Sequence, residues 1–341
     1  MDSITQLTLG AAVGEACLGK KIGYRAAAWG AVLGTLPDLD IIVNPLVDGV
    51  SQLYFHRSIT HSFTFILLAS PLFGWAFHTF YKTRDVGWKP WSLFTFWIFL
   101  THVLIDLPTT YGTQIFQPFT NRPFTTDSMF IIDPLFTVPL IIGLLAALIL
   151  RRKTDLGSKL NIAGLSIAAI YLLWGHAIKS HVHGVYQESF QHQFGYYDEL
   201  KTVPGGPTTF LWSGYVLKQD TIYQATYSIF DESSDLEFTG IPRNSGLIEP
   251  YINDRATTAL LWFSRGYYTV ERTDTNTIYL YDLRFGRNDF WLSDGDSVEY
   301  VWSNELIISD DGKANALKQS IPSFGGRGNN IELFWNRIWG K

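Results

Sequence analysis

The chain has 341 residues, a formal net charge of −5, 17% charged residues and 16% aromatic residues. So little charge beside so many aromatics excludes a disordered chain, a coiled coil and a highly charged nucleic-acid binder. The single cysteine, Cys17, excludes an intrachain disulfide framework and a cysteine-based zinc finger.

The averages conceal two unlike halves. Residues 1–179 hold 13 Lys and Arg against 10 Asp and Glu, and residues 180–341 hold 13 against 21, so the charge divides into +3 and −8. A membrane-crossing helix needs about 20 apolar residues. In chain order, the Ala- and Gly-rich segments at about 4–19 and 25–43 are short or interrupted for this purpose but suit close helix packing. Residues 63–81, 91–110, 130–150 and 160–178 meet the requirement, and six spans are expected. Asp2 and Glu15 lie in the first segment and no cationic region precedes it, which argues against a cleaved signal peptide. Lys20, Lys21 and Arg25, then Lys82, Arg84 and Lys89, then Arg151, Arg152, Lys153 and Lys159 fall in alternate loops, while the others hold only Arg57 and Arg122. The positive-inside rule then places the N-terminus and residues 180–341 outside the cytoplasm.

Acids and histidines at membrane depth are costly and need a reason. Asp2, Asp38, Asp40, His56, His61, His102, Asp106 and Asp133 all fall near the outer end of an expected span or in an outer loop, so they are read as one site. His102 and Asp106 stand at i and i+4, on one helix face. An imidazole and a carboxylate there suit a divalent metal such as zinc or manganese, and suit equally a hydrogen bond bracing two helices. Asp38 and Asp40 flank Leu39 after Pro37, as a carboxylate pair or as a polar turn ending a helix. His56 and His61 fit a loop entering a helix, with Ser58 or Thr60 as its N-cap. Between them Arg57 suits a phosphate oxyanion or a lipid headgroup. Asp133 opens the most apolar span as a ligand or an N-cap, and Asp2 is a ligand or a solvated terminal acid.

In order, the pieces MDSITQLTLGAAVGEA, GTLPDLD, HRSITHS, HVLIDLPTTYGT and IDP cover about residues 1–180. Their combination resembles the bacterial inner-membrane metal-dependent hydrolases of the YdjM/YbcI type, also called LexA-binding membrane-associated hydrolases. The family is distantly similar to the zinc-dependent phospholipase C and P1 nuclease group, whose Asp, His and H-x3-D ligands hold a cluster of metals. The resemblance implies a phosphoester-type hydrolase in the bacterial inner membrane. One departure is Gln6, where the family often has a histidine.

Residues 180–341 are expected to form a soluble, mainly antiparallel β domain of six to eight strands. TFLWSGYVL, TIYQATYSIF, ALLWFSRGYYTVER, TIYLYDLRFG and SVEYVW are the strand-like stretches, and turn signals at 204–207 and 309–313 punctuate them. The segment NNIELFWNRIWGK predicts a short amphipathic helix. The acidic charge argues against nucleic acid as a partner.

The fold expected is therefore an α-helical multi-pass membrane domain of about six helices over 1–179, followed by the β domain over 180–341. The function expected is a membrane-bound metal-dependent hydrolase acting on a phosphoester of a lipid or lipid-linked substrate. Its metal, zinc or manganese, would be held by the eight acids and histidines, with Arg57 as the catalytic cation. The alternative is a non-enzymatic membrane-anchored binding protein with a structural metal site.

Overall fold

The computed structural model describes all residues except 82–85, 151–154, 291–298 and 321–330. Lys82, Arg84, Arg151, Arg152 and Lys153 of the expected basic loops lie outside the described residues. The chain forms two compact units, one of Met1–Val43 with Phe55–His176, the other of Asn44–Tyr54 with Ala177–Lys341.

In the first unit α1 (Ser3–Ile22) and α2 (Arg25–Thr35) lead into a 3₁₀ segment, Pro37–Leu46. After α3 (Gly49–Phe55) and a 3₁₀ turn at Ile59–His61 come α4 (Phe63–Tyr81), α5 (Trp88–Asp106), α6 (Pro134–Leu150) and α7 (Leu156–Phe194). Trp91, Phe94, Ile98, Phe99 and Val103 of α5 are buried and form the centre of the helical core. Among the described residues, only α4 and α7 are single helices long and apolar enough to cross a membrane. A third span exists if α2 and the 3₁₀ segment, bent by 42°, count as one, and α6 is a shorter apolar helix. The expected six spans are not supported. The reason is visible in α1, which buries Thr5, Gln6, Thr8 and Glu15, and in α5, which buries Thr95, His102 and Asp106. These helices spend their interior positions on polar residues. The N-cap of α4 also differs from expectation: the Ser62 hydroxyl accepts the Phe65 N–H at 3.0 Å, the role assigned to Ser58 or Thr60.

The α1–α2 contact is set by glycine. A methyl group on Gly30 would stand 2.2 Å from the Gly10 carbonyl oxygen, and one on Gly10 would stand 2.3 Å from that of Gly30. Both obstacles are backbone and cannot swing aside, so small residues here permit an approach that no larger side chain allows. Gly30→Val is expected to cost about 3 kcal/mol or more, at the upper end of overpacking effects. Thermal unfolding in detergent checks it, and a melting temperature equal to that of the natural chain would contradict the packing described.

In the second unit β1 (Glu199–Gly206), β2 (Thr208–Lys218), β3 (Thr221–Ser228) and β4 (Thr239–Pro242) form one antiparallel sheet in that order. Helix α8 (Arg255–Ser264) precedes a second antiparallel sheet of β5 (Tyr268–Arg272), β6 (Thr277–Asp282), β7 (Ser303–Ile308) and β8 (Ala314–Ser320). The stretch ALLWFSRGYYTVER, expected as a strand, divides between α8 and β5. Arg265 and Gly266, with φ of +52° and +84°, end the helix in the left-handed region. The expected C-terminal helix is α9 (Ile331–Ile338), which packs Phe334 and Ile338 against Leu211.

Asn44–Tyr54 joins this unit from far away in sequence. Arg255 grips Asp48 with two guanidinium nitrogens at 2.9 and 3.0 Å, and Tyr54 packs on Trp262 with ring centroids 4.4 Å apart. Arg255 and the backbone N–H of Ser51 depress the Asp48 carboxyl to about 2. A carboxyl depressed in the fold adds stability above its unfolded value and loses it as pH falls through the folded one. Asp48 is therefore expected to stay ionised down to pH about 2 in a carboxyl-carbon NMR titration, and Arg255→Ala should return it toward ordinary aspartate values.

Candidate metal centre

Four side chains from three segments converge. Asp38 lies in the first turn of the 3₁₀ segment, His61 ends the 3₁₀ turn before α4, and His102 and Asp106 occupy the last turns of α5. One ligand atom from each lies within 4.8 Å of all the others. His61 Nε2 stands 3.1 Å from His102 Nε2, 3.2 Å from Asp38 Oδ1 and 3.4 Å from Asp106 Oδ2. His102 Nε2 stands 3.7 Å from both carboxylates.

The outer nitrogens of the two imidazoles are already engaged. His102 Nδ1 donates to the Gly34 carbonyl oxygen at 2.7 Å. Thr60 Oγ1 has Asp40 Oδ2 as its acceptor at 3.4 Å, which leaves it to accept from His61 Nδ1 at 3.0 Å. These partners assign the proton of each ring to Nδ1, so both Nε2 lone pairs face inward and face each other. Two lone pairs and two carboxylate oxygens at this spacing repel one another unless a cation sits among them. Four ligands bound to a zinc ion at ordinary distances stand roughly 3.3 Å apart, and the separations around His61 and His102 run from 3.1 to 3.7 Å.

Asp106 shows the same division. Its Oδ1 receives Gln6 Nε2 at 3.0 Å, lies 3.2 Å from an Arg57 guanidinium nitrogen and also meets the Met1 amine. Its Oδ2, buried and facing the two imidazoles, has no hydrogen-bond partner among the described residues. A buried anionic oxygen of this kind, beside two imidazole nitrogens, suits ligation of a metal ion. Burial works to lower the His61 imidazole, but the carboxylates of Asp106 and Asp38 outweigh it and hold the ring above its usual value. The site thus attracts positive charge. Asp38 is its open side, with a side chain 24% exposed against 0% for His61 and Asp106.

The other residues expected in the site take different places. Asp40 accepts from the Arg57 backbone N–H at 2.9 Å and pairs with His56 Nδ1 at 2.9 Å, and stands 3.6 Å from His61 Nδ1. It braces the outer side of His61, outside the four-ligand group, and His56 goes with it, its ring against Tyr111. Arg57 is buried in the left-handed region, φ +54°, and donates to Thr109 Oγ1 at 2.7 Å. Asp2 caps α1 by accepting the Ile4 and Thr5 N–H groups. Asp133 accepts the Leu135 N–H at 3.0 Å and the Tyr171 hydroxyl at 2.9 Å at the start of α6. The N-cap reading fits Asp133, while Asp2 is an N-cap rather than the ligand or solvated terminal acid expected. Gln6, the departure from the family pattern, holds Asp106 from behind. The Gly34 carbonyl was not anticipated, since a backbone acceptor leaves no side-chain signature in a sequence.

The fold and this cluster define a membrane protein with a buried candidate metal centre at the mouth of a helical unit, followed by an antiparallel β domain. Residues 1–182 match the profile of the YdjM inner membrane protein family. The chain belongs to that family. It is also 30% identical over 129 residues to the uncharacterized protein YfhP of Bacillus subtilis (strain 168), a match covering 36% of this chain and 38% of that protein. The chain thus spans less than two fifths of this relative's length. No solved structure matches it.

Proposed function

We propose that the protein is a metal-dependent hydrolase of the bacterial inner membrane, acting on a phosphoester of a lipid or lipid-linked substrate. The observation that carries this reading is the pair of inward Nε2 atoms facing two carboxylate oxygens, one of them without a hydrogen-bond partner among the described residues. Asp38, His61, His102 and Asp106 hold the ion, which is zinc or manganese. When bound, it supplies Lewis acidity and an activated water near neutral pH. The residues around it do the rest. Gly34 and Thr60 keep both imidazoles in the ligating tautomer. Asp40 holds the turn that carries His56, Arg57 and His61. The buried Arg57 Nε has no hydrogen-bond partner among the described residues, which supports a role for this guanidinium in holding an anionic oxygen of the substrate. Asp38, the exposed ligand, marks the substrate side. The positive-inside pattern supports placing this side and the β domain outside the cytoplasm.

Burial of three of the four ligands favours a second reading, a structural metal in a membrane-anchored binding protein. The metal-loaded protein, presented with a panel of phospholipids and polyprenyl phosphates, separates the two. Release of phosphate or of a phosphorylated headgroup, abolished by Asp38→Ala, supports the hydrolase. No turnover on any member with a full equivalent of metal retained favours the structural site.

A further inference from the structure

We infer that the loop at residues 116–122 is a lipid-embedded lip of the metal centre, with Phe119 inserted at the headgroup boundary and Arg122 on a lipid phosphate. The loop cannot drift from the site. The Phe63 N–H, first in the membrane-crossing helix α4, donates to the Ile115 carbonyl at 2.9 Å, and the Gln114 N–H donates to that of Arg57 at 3.0 Å. Thr113 and Phe124 close the loop by exchanging two backbone hydrogen bonds of 2.9 Å. The Phe116 ring packs on Phe63 and Phe124 with centroids 5.8 and 5.2 Å away. The tip is therefore held at the end of a membrane-spanning helix, two residues from His61.

Yet the tip is apolar and bare. Phe119 is 86% exposed, and Phe116 in the same loop is 44% exposed. An aromatic held so openly at a helix end on a membrane protein has the bilayer interface as its natural surrounding. The charge agrees. Residues 107–126 contain no acid, and their one cation, Arg122, is exposed and lies over the Phe124 ring at 5.7 Å, which leaves it free to meet phosphate. The occupant is thus the leaflet itself. This inference does not depend on hydrolysis, and a soluble headgroup alone would not satisfy Phe119.

The test uses the full chain with Cys17→Ser and Phe119→Cys, carrying a nitroxide and reconstituted in phosphatidylcholine–phosphatidylglycerol bilayers. Thr275→Cys on the β domain serves as the exposed reference. Relaxation of the label by oxygen is expected to exceed that by a water-soluble nickel chelate several-fold, with the reverse at position 275. Arg122→Glu should move the label toward water. Chelate access at 119 equal to that at 275 would overturn the inference. So would dipolar broadening between labels, which would make the lip a contact with a second copy. Neither result would touch the metal centre.

Discussion

Replacing His102 with alanine is expected to empty the metal centre, with transition-metal content falling from about one equivalent to background by elemental mass spectrometry. Its Nε2 is one of the two neutral nitrogens in the cluster, and its Nδ1 is tied to the α2 backbone at Gly34, so no neighbouring group can take its place. The four ligands should differ in what else they lose. Asp38→Ala, on the open side, should lose metal with little change in melting temperature. Asp106→Ala should lose metal and also unfold more easily, because Arg57 then keeps a buried charge without its carboxylate. Breaking one side of a buried pair costs about 3–5 kcal/mol. Retention of a full equivalent of metal in both His102→Ala and Asp106→Ala would sink the assignment.

The second large effect is expected in the β domain. Asp282 and Arg284 are fully buried, with Arg284 Nε 2.9 Å from Asp282 Oδ1. The guanidinium carbon lies 5.1 and 5.3 Å from the ring centroids of Phe263 and Phe285, the latter stacked on Trp302. Asp282→Ala would take away the buried carboxylate that holds Arg284 Nε and should destabilise the β domain by about 3–5 kcal/mol, the cost of breaking one side of a buried ion pair. Combining it with Arg284→Met removes the buried cation as well, and much of the loss should be recovered. Denaturant unfolding followed by Trp fluorescence measures both. Equal stability of the single and double variants would mean that the pair is not a charge pair at all.

The parts of the site legible in the sequence are those written in side chains at short range. His102-x3-Asp106 is a spacing, LPDLD a pair of acids and HRSITHS a pair of imidazoles, and each sends one or two members to the cluster. The sequence could not rank members within a pair. Asp38 faces inward and Asp40 backs His61 because two residues along a 3₁₀ turn rotate a side chain by about 240°, onto a different face. Asp2 and Asp133 carried the residue type without the position, since helix N-termini favour aspartate for reasons unrelated to metal. The six expected spans came from counting apolar residues. That count cannot see that α1 and α5 turn their polar residues inward against partners. Much of the β domain followed from alternation and turns, but of SVEYVW the described residues 299–302 form no strand and β7 begins after them at Ser303, and α8 escaped because a short apolar helix and a buried strand look alike in composition.

The grip of the β domain on residues 44–54 bears on how the gene can be cut. A fragment ending at residue 182 would keep the whole family match and all four ligands. It would also strip Arg255 from Asp48, Trp262 from Tyr54 and Leu317 from Gly49. The stretch between Asp40 and His56 would then be a free tether joining the two halves of the metal centre. The smallest piece that carries the signature of the family is smaller than the smallest piece that keeps that tether anchored.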